Sequence, residues 1–266
     1  MTASRRPPYG VLAGYYDEVY GLWRELLSPA RDEILRAHAV RYAKVLDVGC
    51  GSGWQSLELA RRGAGVVAVD PVAAFLRPLR AAARRERLPV DVRAGSALDL
   101  PIREGEVFDL ALATFDVLNH LGSHGELAPA LSGVAKALRP GGHFLFDLNT
   151  PETIEAFPDH HRVTALEGGG LSAERGSYDS AAGVGTVTRD WFLPEAGRPS
   201  RFRRTRELYR EIAWPKRAVE RALREAGLSI RLFTDASGWL SFQPEGTRWL
   251  VLARKRPGAA PGRFSR

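Results

Sequence analysis

The chain is organised around residues 45–53, which read VLDVGCGSG. An aliphatic run that leads into three glycines at alternate positions predicts a buried parallel strand ending in a sharp turn. Glycine has no Cβ, so the backbone of such a turn can approach a ligand closely. Residues 54–62 are predicted to continue as a helix whose free N–H groups face the same spot. The stretch therefore predicts a cradle for a small molecule.

The spacing of the glycines distinguishes two classes of ligand. A dinucleotide-binding turn has the pattern G-x-G-x-x-G, whose third glycine lets the helix pack closely on the strand. Here that third position is Trp54, and the glycine falls one place early, at Gly53. The carboxylate of Asp47 would repel a pyrophosphate, whereas it could attract the ammonium group of an amino acid. The turn therefore disfavours a dinucleotide.

With these features, residues 45–53 resemble the first motif of class I S-adenosylmethionine-dependent methyltransferases. The resemblance implies an α/β fold, a Rossmann-like doubly wound sheet of seven strands whose last strand is antiparallel. It implies S-adenosyl-L-methionine as the cofactor and S-adenosyl-L-homocysteine as its product. In this first motif it assigns cofactor binding to Asp47, Gly49, Cys50, Gly51 and Gly53.

The second motif of the family follows at the expected distance. Residues 65–70 predict a buried strand that ends at Asp70, about 20 residues beyond the first glycine, where a carboxylate can receive both ribose hydroxyls. Pro71 comes next, so capping of a helix could also explain Asp70. After a third strand at residues 90–94, Ser96 and Ala97 are expected beside the adenine. The family usually has Asp at position 96, and serine accepts a hydrogen bond more weakly.

A fourth predicted strand, residues 108–114, delivers its carboxyl end to the same edge of the sheet. We therefore expect Thr114, Phe115 and Asp116 to border the cofactor. Asn119 and His120 are expected on the acceptor side. His120 is the predicted general base, since a histidine can accept a proton near neutral pH; a histidine hydrogen-bonded within its loop is the alternative.

Two further segments are expected around the acceptor. In the N-terminal segment, Tyr16, Asp17 and Tyr20 match a Y-D-x-x-Y element that, in the family, closes over the cofactor. An aromatic face suits a sulfonium and a phenol can bind a carboxylate, which assigns Tyr16 to cofactor binding and catalysis and Tyr20 to the acceptor. Alternatively, the tyrosines staple a helix to the core. A fifth predicted strand, residues 143–149, follows an R-P-G-G turn that resembles the same family. Asn149, at the end of this strand, is expected to contact the acceptor.

Between residues 159 and 209 the helical periodicity gives way to short alternating runs and glycine clusters. Residues 171–178, 185–193 and 200–209 predict antiparallel strands, so the core carries an inserted β-ribbon. The ribbon is expected either to roof the acceptor pocket, with Tyr178, Trp191 and Tyr209 as lining residues, or to form a homodimer interface.

The predicted organisation follows from these elements. Residues 1–40 form a cofactor-covering helical segment, 41–157 and 210–255 the methyltransferase core, 158–209 the inserted β subdomain, and 256–266 a disordered basic tail. No apolar run in the 266 residues approaches the length of a membrane span. The single cysteine, Cys50, allows no internal disulfide and favours a cytoplasmic location.

The sequence therefore predicts transfer of a methyl group to a nitrogen or oxygen of a small-molecule acceptor, without a metal. The resemblance is closest to amino-sugar and glycine N-methyltransferases. Two alternatives stay open. The net charge of +7 suggests an RNA methyltransferase acting on ribose or a ring nitrogen, although genome composition also explains an arginine bias. The departure at Ser96 suggests a catalytically weak cofactor-binding protein.

Overall fold

The computed structural model describes residues 4–5, 8–239 and 244–257. The strands are β1 (Ser4–Arg5), β2 (Lys44–Val48), β3 (Gly65–Asp70), β4 (Val90–Ala94), β5 (Phe108–Ala113), β6 (Leu138–Asn149), β7 (His161–Ala165), β8 (Leu171–Asp179), β9 (Val184–Glu195), β10 (Arg198–Ile212), β11 (Leu228–Asp235) and β12 (Arg248–Lys255). The α-helices are α1 (Tyr16–Ala37), α2 (Trp54–Arg61), α3 (Ala73–Arg85), α4 (Leu127–Ala137), α5 (Pro151–Glu155) and α6 (Lys216–Glu225). Most of the predicted basic tail, residues 258–266, lies outside the described residues.

Seven of these strands form one sheet in the order β11-β12-β6-β5-β2-β3-β4. Strands β6, β5, β2, β3 and β4 are mutually parallel, whereas β12 runs antiparallel to both β6 and β11. The predicted doubly wound sheet with an antiparallel last strand is therefore confirmed. The order reverses between β2 and β5, and a ligand of such a sheet binds at the carboxyl ends of the strands beside that reversal.

The aliphatic strands are buried because helices cover both faces of this sheet. Along β2, Val45 packs with Ile34 of α1 and Leu59 of α2. Its neighbour Leu46 points the other way and packs with Leu131 of α4. Successive side chains of a strand face opposite sides of the sheet, so a strand buried on both sides needs a continuous apolar run. That requirement explains why the strand preceding the glycines has so few polar residues.

A second sheet has the order β1-β10-β9-β8-β7. Strands β7 to β10 pair antiparallel in succession, and β1 pairs parallel with β10. The three strands expected in the ribbon are present, but β7 and β1 enlarge it to a five-stranded sheet among the described residues. Its inner face buries Leu12, Leu166, Trp191 and Tyr209. The exact boundaries of an insertion, residues 158–209, stay a prediction.

The N-terminal segment contains one long helix. Serine followed by proline is a common helix start, yet α1 runs through Ser28 and Pro29 without a break. The Ser28 hydroxyl donates to Glu58 Oε2 of α2 at 2.7 Å, and the buried Arg31 donates to the same oxygen at 3.0 Å. Because these bonds hold α1 against α2, the helix tolerates the loss of the one backbone hydrogen bond that a proline cannot donate. None of the helices in the described ranges is both long and apolar enough to cross a membrane.

Candidate active site

The glycine turn between β2 and α2 forms the floor of a cleft. Gly49, Gly51 and Gly53 all have left-handed backbone conformations, with φ of 68°, 53° and 77°. A Cβ on Gly49 or Gly53 would collide with Val117 or Leu79, whereas one on Gly51 would stand in the cleft, 4.0 Å from the Tyr16 ring. Packing therefore requires glycine at positions 49 and 53, and the open approach to the backbone lies at Gly51.

Asp70, at the end of β3, holds this turn in place. Its Oδ2 accepts a hydrogen bond from the Gly51 N–H at 2.9 Å, and its Oδ1 accepts one from the Val72 N–H at 2.8 Å. Asp70 is not the cap of α3, because that helix begins at Ala73 after Val72. Burial raises the pKa of Asp70, while the two N–H bonds lower it. Each carboxylate oxygen keeps a lone pair that can accept from a ligand hydroxyl.

The cleft above the turn has a volume of about 160 Å³. Its walls are mostly apolar, with Val72 and Phe75 on one side and Val117 on another. The predicted cofactor residues that line it are Gly49, Gly51, Asp70, Pro71, Ser96, Ala97, Thr114, Phe115 and, from α1, Tyr16. The Ser96 hydroxyl oxygen already accepts from the Leu98 and Asp99 N–H groups at 3.3 Å each, so its proton is the group left for a ligand.

Asp47 and Cys50 do not line this cleft. The Asp47 carboxylate lies behind the turn, where it accepts from Ser56 Oγ at 2.6 Å and from Gln55 Nε2 at 3.2 Å. Burial raises its pKa to about 6, against the effect of these two bonds. The structure thus gives Asp47 the task of fixing α2 to β2, and it does not support direct attraction of a ligand ammonium. The Cys50 thiol is also buried.

Aromatic rings from the N-terminal segment close the cleft. Tyr16 meets Phe75 and Tyr20 with ring centroids 5.1 Å away in each case. Asp17 accepts a hydrogen bond from Ser52 Oγ of the glycine turn at 2.8 Å, which ties the start of α1 to the turn. Tyr9, which the sequence did not single out, packs against Phe75 at 5.9 Å. Segment 8–20 therefore covers the cleft from above.

A second cavity, of about 300 Å³, continues from the cleft and is called the acceptor cavity here. The two spaces share Tyr9, Tyr16, Phe115 and His120, so these residues stand at the junction. The acceptor cavity lies between the first sheet and the second. Its lining is rich in ionisable groups: Tyr20, Asp116, His160, Arg162, Glu174, Arg189, Tyr209, Glu211 and Arg248.

His120 is held at the junction by three contacts. Its Nδ1 lies 2.9 Å from the Arg210 carbonyl oxygen, and its Nε2 lies 3.1 Å from the Tyr9 hydroxyl and 3.3 Å from Asp116 Oδ2. Burial lowers the pKa of His120, but Asp116, Glu211 and the carbonyl outweigh burial and raise it to about 9. An imidazole that is already protonated at pH 7 cannot accept a proton. The structure therefore argues against the predicted role of His120 as the base.

The backbone beside His120 is strained and is held by charges. Phe115 and Asp116 have φ of 73° and 55°, a left-handed conformation that residues with a Cβ rarely adopt. Asp147 accepts from the Asp116 N–H at 2.9 Å, and Arg248 bridges the Asp147 and Asp116 carboxylates. Burial raises the pKa of Asp116, but Arg248 and His120 outweigh burial and lower it well below its usual range. Asp116 is thus a fixed negative charge.

Glu211, on β10, is the group best suited to exchange a proton. Its Oε2 accepts from Asn149 Nδ2 at 2.6 Å, and the side chain is buried. Burial and the neighbouring Asp116 raise its pKa to about 7, although His120, Asn149 and Arg248 act in the opposite direction. Nothing in the sequence singles out Glu211, because its place in the cavity depends on how β10 packs beside the loop of Asp116 and His120.

The other residues predicted for the acceptor divide into two groups. Tyr20, Asn149 and Tyr209 line the acceptor cavity. Asn119 is fully buried and braces the backbone: its amide donates to the carbonyls of residues 149 and 212, and it accepts from the residue 149 N–H. Trp191 lies in the core of the second sheet, and its Nε1 donates to Glu207 at 2.8 Å.

Tyr178 lies away from the acceptor cavity. Its hydroxyl donates to Glu155 at 3.3 Å in an exposed contact. The expectation that Tyr178 and Trp191 line the pocket is therefore not supported. Large aromatic residues in a strand fill a core as often as they line a pocket. The alternation of side chains along β8 and β9 decides which side each residue faces.

Asp116, His120 and Glu211 have ligand atoms that all lie within 4.8 Å of one another, a spacing that a metal ion requires. The surrounding charges disfavour that use. Arg248 donates to Asp116 at 3.0 Å, and the raised pKa of His120 keeps the imidazole protonated. Since both cations would repel a metal ion, the three residues are better suited to hold and move a proton.

Comparison with known proteins places the core of this site in a family. Residues 45–142 match a family model described as a methyltransferase domain. A ubiquinone biosynthesis O-methyltransferase of Xylella fastidiosa is 36% identical over 132 residues, which are 49% of this chain and 52% of that protein. The similarity to this relative thus covers about half of its length.

Other similarities extend over the whole chain. A dTDP-3-amino-3,6-dideoxy-alpha-D-glucopyranose N,N-dimethyltransferase of Streptomyces fradiae is 28% identical over 263 residues, 97% of this chain and 96% of that protein. The crystal structure of an S-adenosylmethionine-dependent methyltransferase from Clostridium acetobutylicum has a TM-score of 0.78 at 19% identity, covering 94% of this chain and 99% of that one. Residues 45–142 are therefore similar to a methyltransferase domain, and the chain shares the α/β fold of the Clostridium acetobutylicum structure.

Proposed function

We propose that this protein is an S-adenosyl-L-methionine-dependent methyltransferase that acts on a nitrogen or oxygen of a small molecule. The observation that carries the proposal is the junction between the cleft and the acceptor cavity. Tyr16, Phe115 and His120 border both spaces. A donor bound over the glycine turn and an acceptor bound among the ionisable groups would meet there, which is the arrangement that a direct transfer requires.

The cleft fits the donor in several respects. Asp70 keeps lone pairs for two ribose hydroxyls, Phe75 and Val72 offer an apolar slot for a purine ring, and Gly51 leaves its backbone open. The Ser96 hydroxyl can donate a hydrogen bond to the purine ring, whereas an aspartate at this position would accept one. Tyr16 presents an aromatic ring, which suits a sulfonium cation.

Little covalent chemistry is left for the protein, because the bound donor supplies a methyl group that is already activated on a sulfonium sulfur. The chain must align the acceptor, exclude water and take up the proton that an amine or hydroxyl sheds. Glu211 is the proton acceptor, since its pKa of about 7 keeps part of the population ionised at neutral pH. His120 donates to Asp116 and holds the adjacent loop, and Asn149 orients the Glu211 carboxylate.

Two features support a small acceptor. The acceptor cavity, of about 300 Å³, lies between the two sheets and is bordered by segment 8–20, a volume on the scale of a small molecule. Part of the positive charge is engaged within the protein: Arg204 and Arg206 both bind Asp190. The named relatives act at nitrogen in one case and at oxygen in the other, so the choice of atom stays with the acceptor.

The test is release of S-adenosyl-L-homocysteine by the purified chain with a panel of small amines, amino sugar nucleotides and phenols. We expect product with at least one class, and at least about a hundredfold lower turnover in Glu211→Gln, the size of effect typical of a general base. Glu155→Gln is the control, because Glu155 makes only an exposed contact with Tyr178. Turnover that is equal in Glu211→Gln and in the control would show that the acceptor needs no base at position 211.

We also infer a reducing, cytoplasmic setting. The support is that the only cysteine in the sequence, Cys50, is buried beside the glycine turn and has no partner for a disulfide within the chain. Association of two copies through the second sheet stays a prediction, and sedimentation of the full chain would test it.

A further inference from the structure

We propose that the acceptor cavity binds an anionic group of the acceptor, a carboxylate or a phosphate, through Arg189. This inference rests on the proposed function, because it concerns the substrate of the same site. Arg189 comes from β9, lines the acceptor cavity and is 1% exposed. It does not line the cleft over the glycine turn.

The guanidinium of Arg189 is only partly satisfied within the protein. Its Nη2 donates to the Tyr20 hydroxyl at 2.7 Å and pairs with Glu174. Its Nε and Nη1 are buried and have no hydrogen-bond partner among the residues that the structure describes. These atoms carry three N–H donors. A buried donor without a partner costs about 1–3 kcal/mol, so the arrangement calls for an acceptor from outside the chain.

Two arginines share one carboxylate beside the Tyr20 ring. Among the residues that the structure describes, Glu174 is the carboxylate that pairs with Arg189, and it also binds Arg162 at 3.0 Å. His160 contacts the same carboxylate, but burial and the arginines lower the pKa of His160, which disfavours the charged imidazole. Glu207, another buried acid of this sheet, is bonded to Trp191 and to Tyr209. The negative charge of Glu174 is therefore divided between two guanidiniums.

Aromatic rings fix the position of this cation. The Arg189 guanidinium carbon lies 5.4 Å from the Tyr20 ring centroid, 5.2 Å from that of Trp191 and 5.6 Å from that of Tyr209. A guanidinium packed among three rings loses little freedom when it binds an anion, and the dry surroundings strengthen the attraction. The donors are thus held ready before the ligand arrives.

The acceptor cavity offers both a proton acceptor and an anion site. Glu211 lines it close to His120, where the reacting nitrogen or oxygen must be, and Arg189 lines the same cavity without lining the cleft. A molecule that fills the space would place its nucleophile beside Glu211 and its negative charge at Arg189. The acceptor class is therefore an amine or alcohol that also bears a carboxylate or a phosphoryl group.

The experiment is a calorimetric titration of the full chain, saturated with S-adenosyl-L-homocysteine, with acetate, inorganic phosphate, pyrophosphate and neutral acetamide. We expect at least one anion to bind and acetamide not to bind. Tighter binding of acetate assigns a carboxylate, and tighter binding of either phosphate assigns a phosphoryl group. Arg189→Lys keeps the charge and loses the guanidinium donors, so we expect binding about tenfold weaker. The control, Arg204→Lys, should bind as the unmodified chain does, because Arg204 pairs with Asp190 elsewhere in the sheet.

A second variant keeps the test decisive if Arg189→Lys folds poorly. Glu174→Gln removes the negative charge that competes for Arg189, and it should therefore tighten binding of the anion. The inference is overturned if S-adenosyl-L-homocysteine binds but no anion does, or if neither substitution changes anion affinity. Failure of S-adenosyl-L-homocysteine itself to bind would be a different result, since it would refute the proposed function.

Discussion

Replacement of Glu211 by Gln should lower the pKa of His120, because Glu211 supplies part of the negative charge that holds a proton on the imidazole. The nearest ligand atoms of the two side chains lie within 4.8 Å. At that distance and an effective dielectric constant of about 20, one unit charge is worth at most about 3.5 kcal/mol. This corresponds to about 2.5 pKa units. Asp116, 3.3 Å from the ring, remains in the variant, so we expect the pKa to fall from about 9 by one to two units.

The assay is an NMR titration of the histidine Cε1–H signals from about pH 5 to about pH 10, which spans the ordinary and the raised pKa of an imidazole. The sequence has six histidines, and loss of one signal in His120→Gln assigns the resonance. Glu155→Gln is the matched control and should leave the titration unchanged. A midpoint near the ordinary histidine value in the unmodified protein would refute the reasoning and restore His120 as a base. An unshifted midpoint in Glu211→Gln would refute the charge coupling.

Stability should follow the same groups. The folded state raises the pKa of His120, so its contribution is complete below about 6.5, the unfolded value, and is lost as the pH rises through about 9. Glu211 also has a raised pKa, and because it is an acid its ionisation disfavours folding as the pH rises from its unfolded value through about 7. Both effects have the same sign. The free energy of unfolding should therefore fall from mildly acidic through mildly alkaline pH, and the fall above about pH 7 should be smaller in His120→Gln.

Three further substitutions or profiles give separate tests. Asn119→Ala removes three buried hydrogen bonds to the backbone and should lower the free energy of unfolding by about 2–4 kcal/mol in urea denaturation; a loss below about 0.5 kcal/mol would contradict the bracing role. Gly51→Ala should weaken binding of S-adenosyl-L-homocysteine and destabilise the fold only through its left-handed backbone, whereas Gly53→Ala should destabilise the fold more, because its Cβ also meets a packed side chain. The rate constant kcat/KM should rise with pH through about 7 and fall above about 9, and Glu211→Gln should lose the rise; a profile without either limb would exclude both groups from the reaction.

The strands of the first sheet and the glycine turn could be predicted because their signals are local. A strand buried on both faces must be largely aliphatic, as Val45, Leu46 and Val48 are, and a turn with positive φ at alternate positions needs glycine there. Asp70 was found by the same means, since its position at the end of β3 fixes its distance from the turn. Such features depend on residues that are near one another in the chain.

The charges of the acceptor cavity could not be predicted because they depend on contacts across the chain. Glu211 and Arg189 belong to β10 and β9, and both line the acceptor cavity only because the second sheet packs beside the first. His120 was predicted as a base from its ordinary pKa, yet Asp116, Glu211 and the Arg210 carbonyl together decide its protonation. The assignment of Trp191 to the pocket was not supported, because Trp191 is buried in the core of the second sheet. The sequence does not show which face of its strand turns toward that core.

A calorimetric titration of the full chain with S-adenosyl-L-homocysteine measures directly whether the cleft binds the methyl donor. We expect one binding site for each chain, and an affinity that is weakened by about one to two orders of magnitude in Asp70→Asn, the loss expected when charged hydrogen bonds become neutral. Asp91→Asn is the control, because Asp91 pairs with Arg93 and Arg103 and does not line the cleft. Absence of binding, or equal affinity in Asp70→Asn and the control, would show that the glycine turn and Asp70 do not hold the methyl donor.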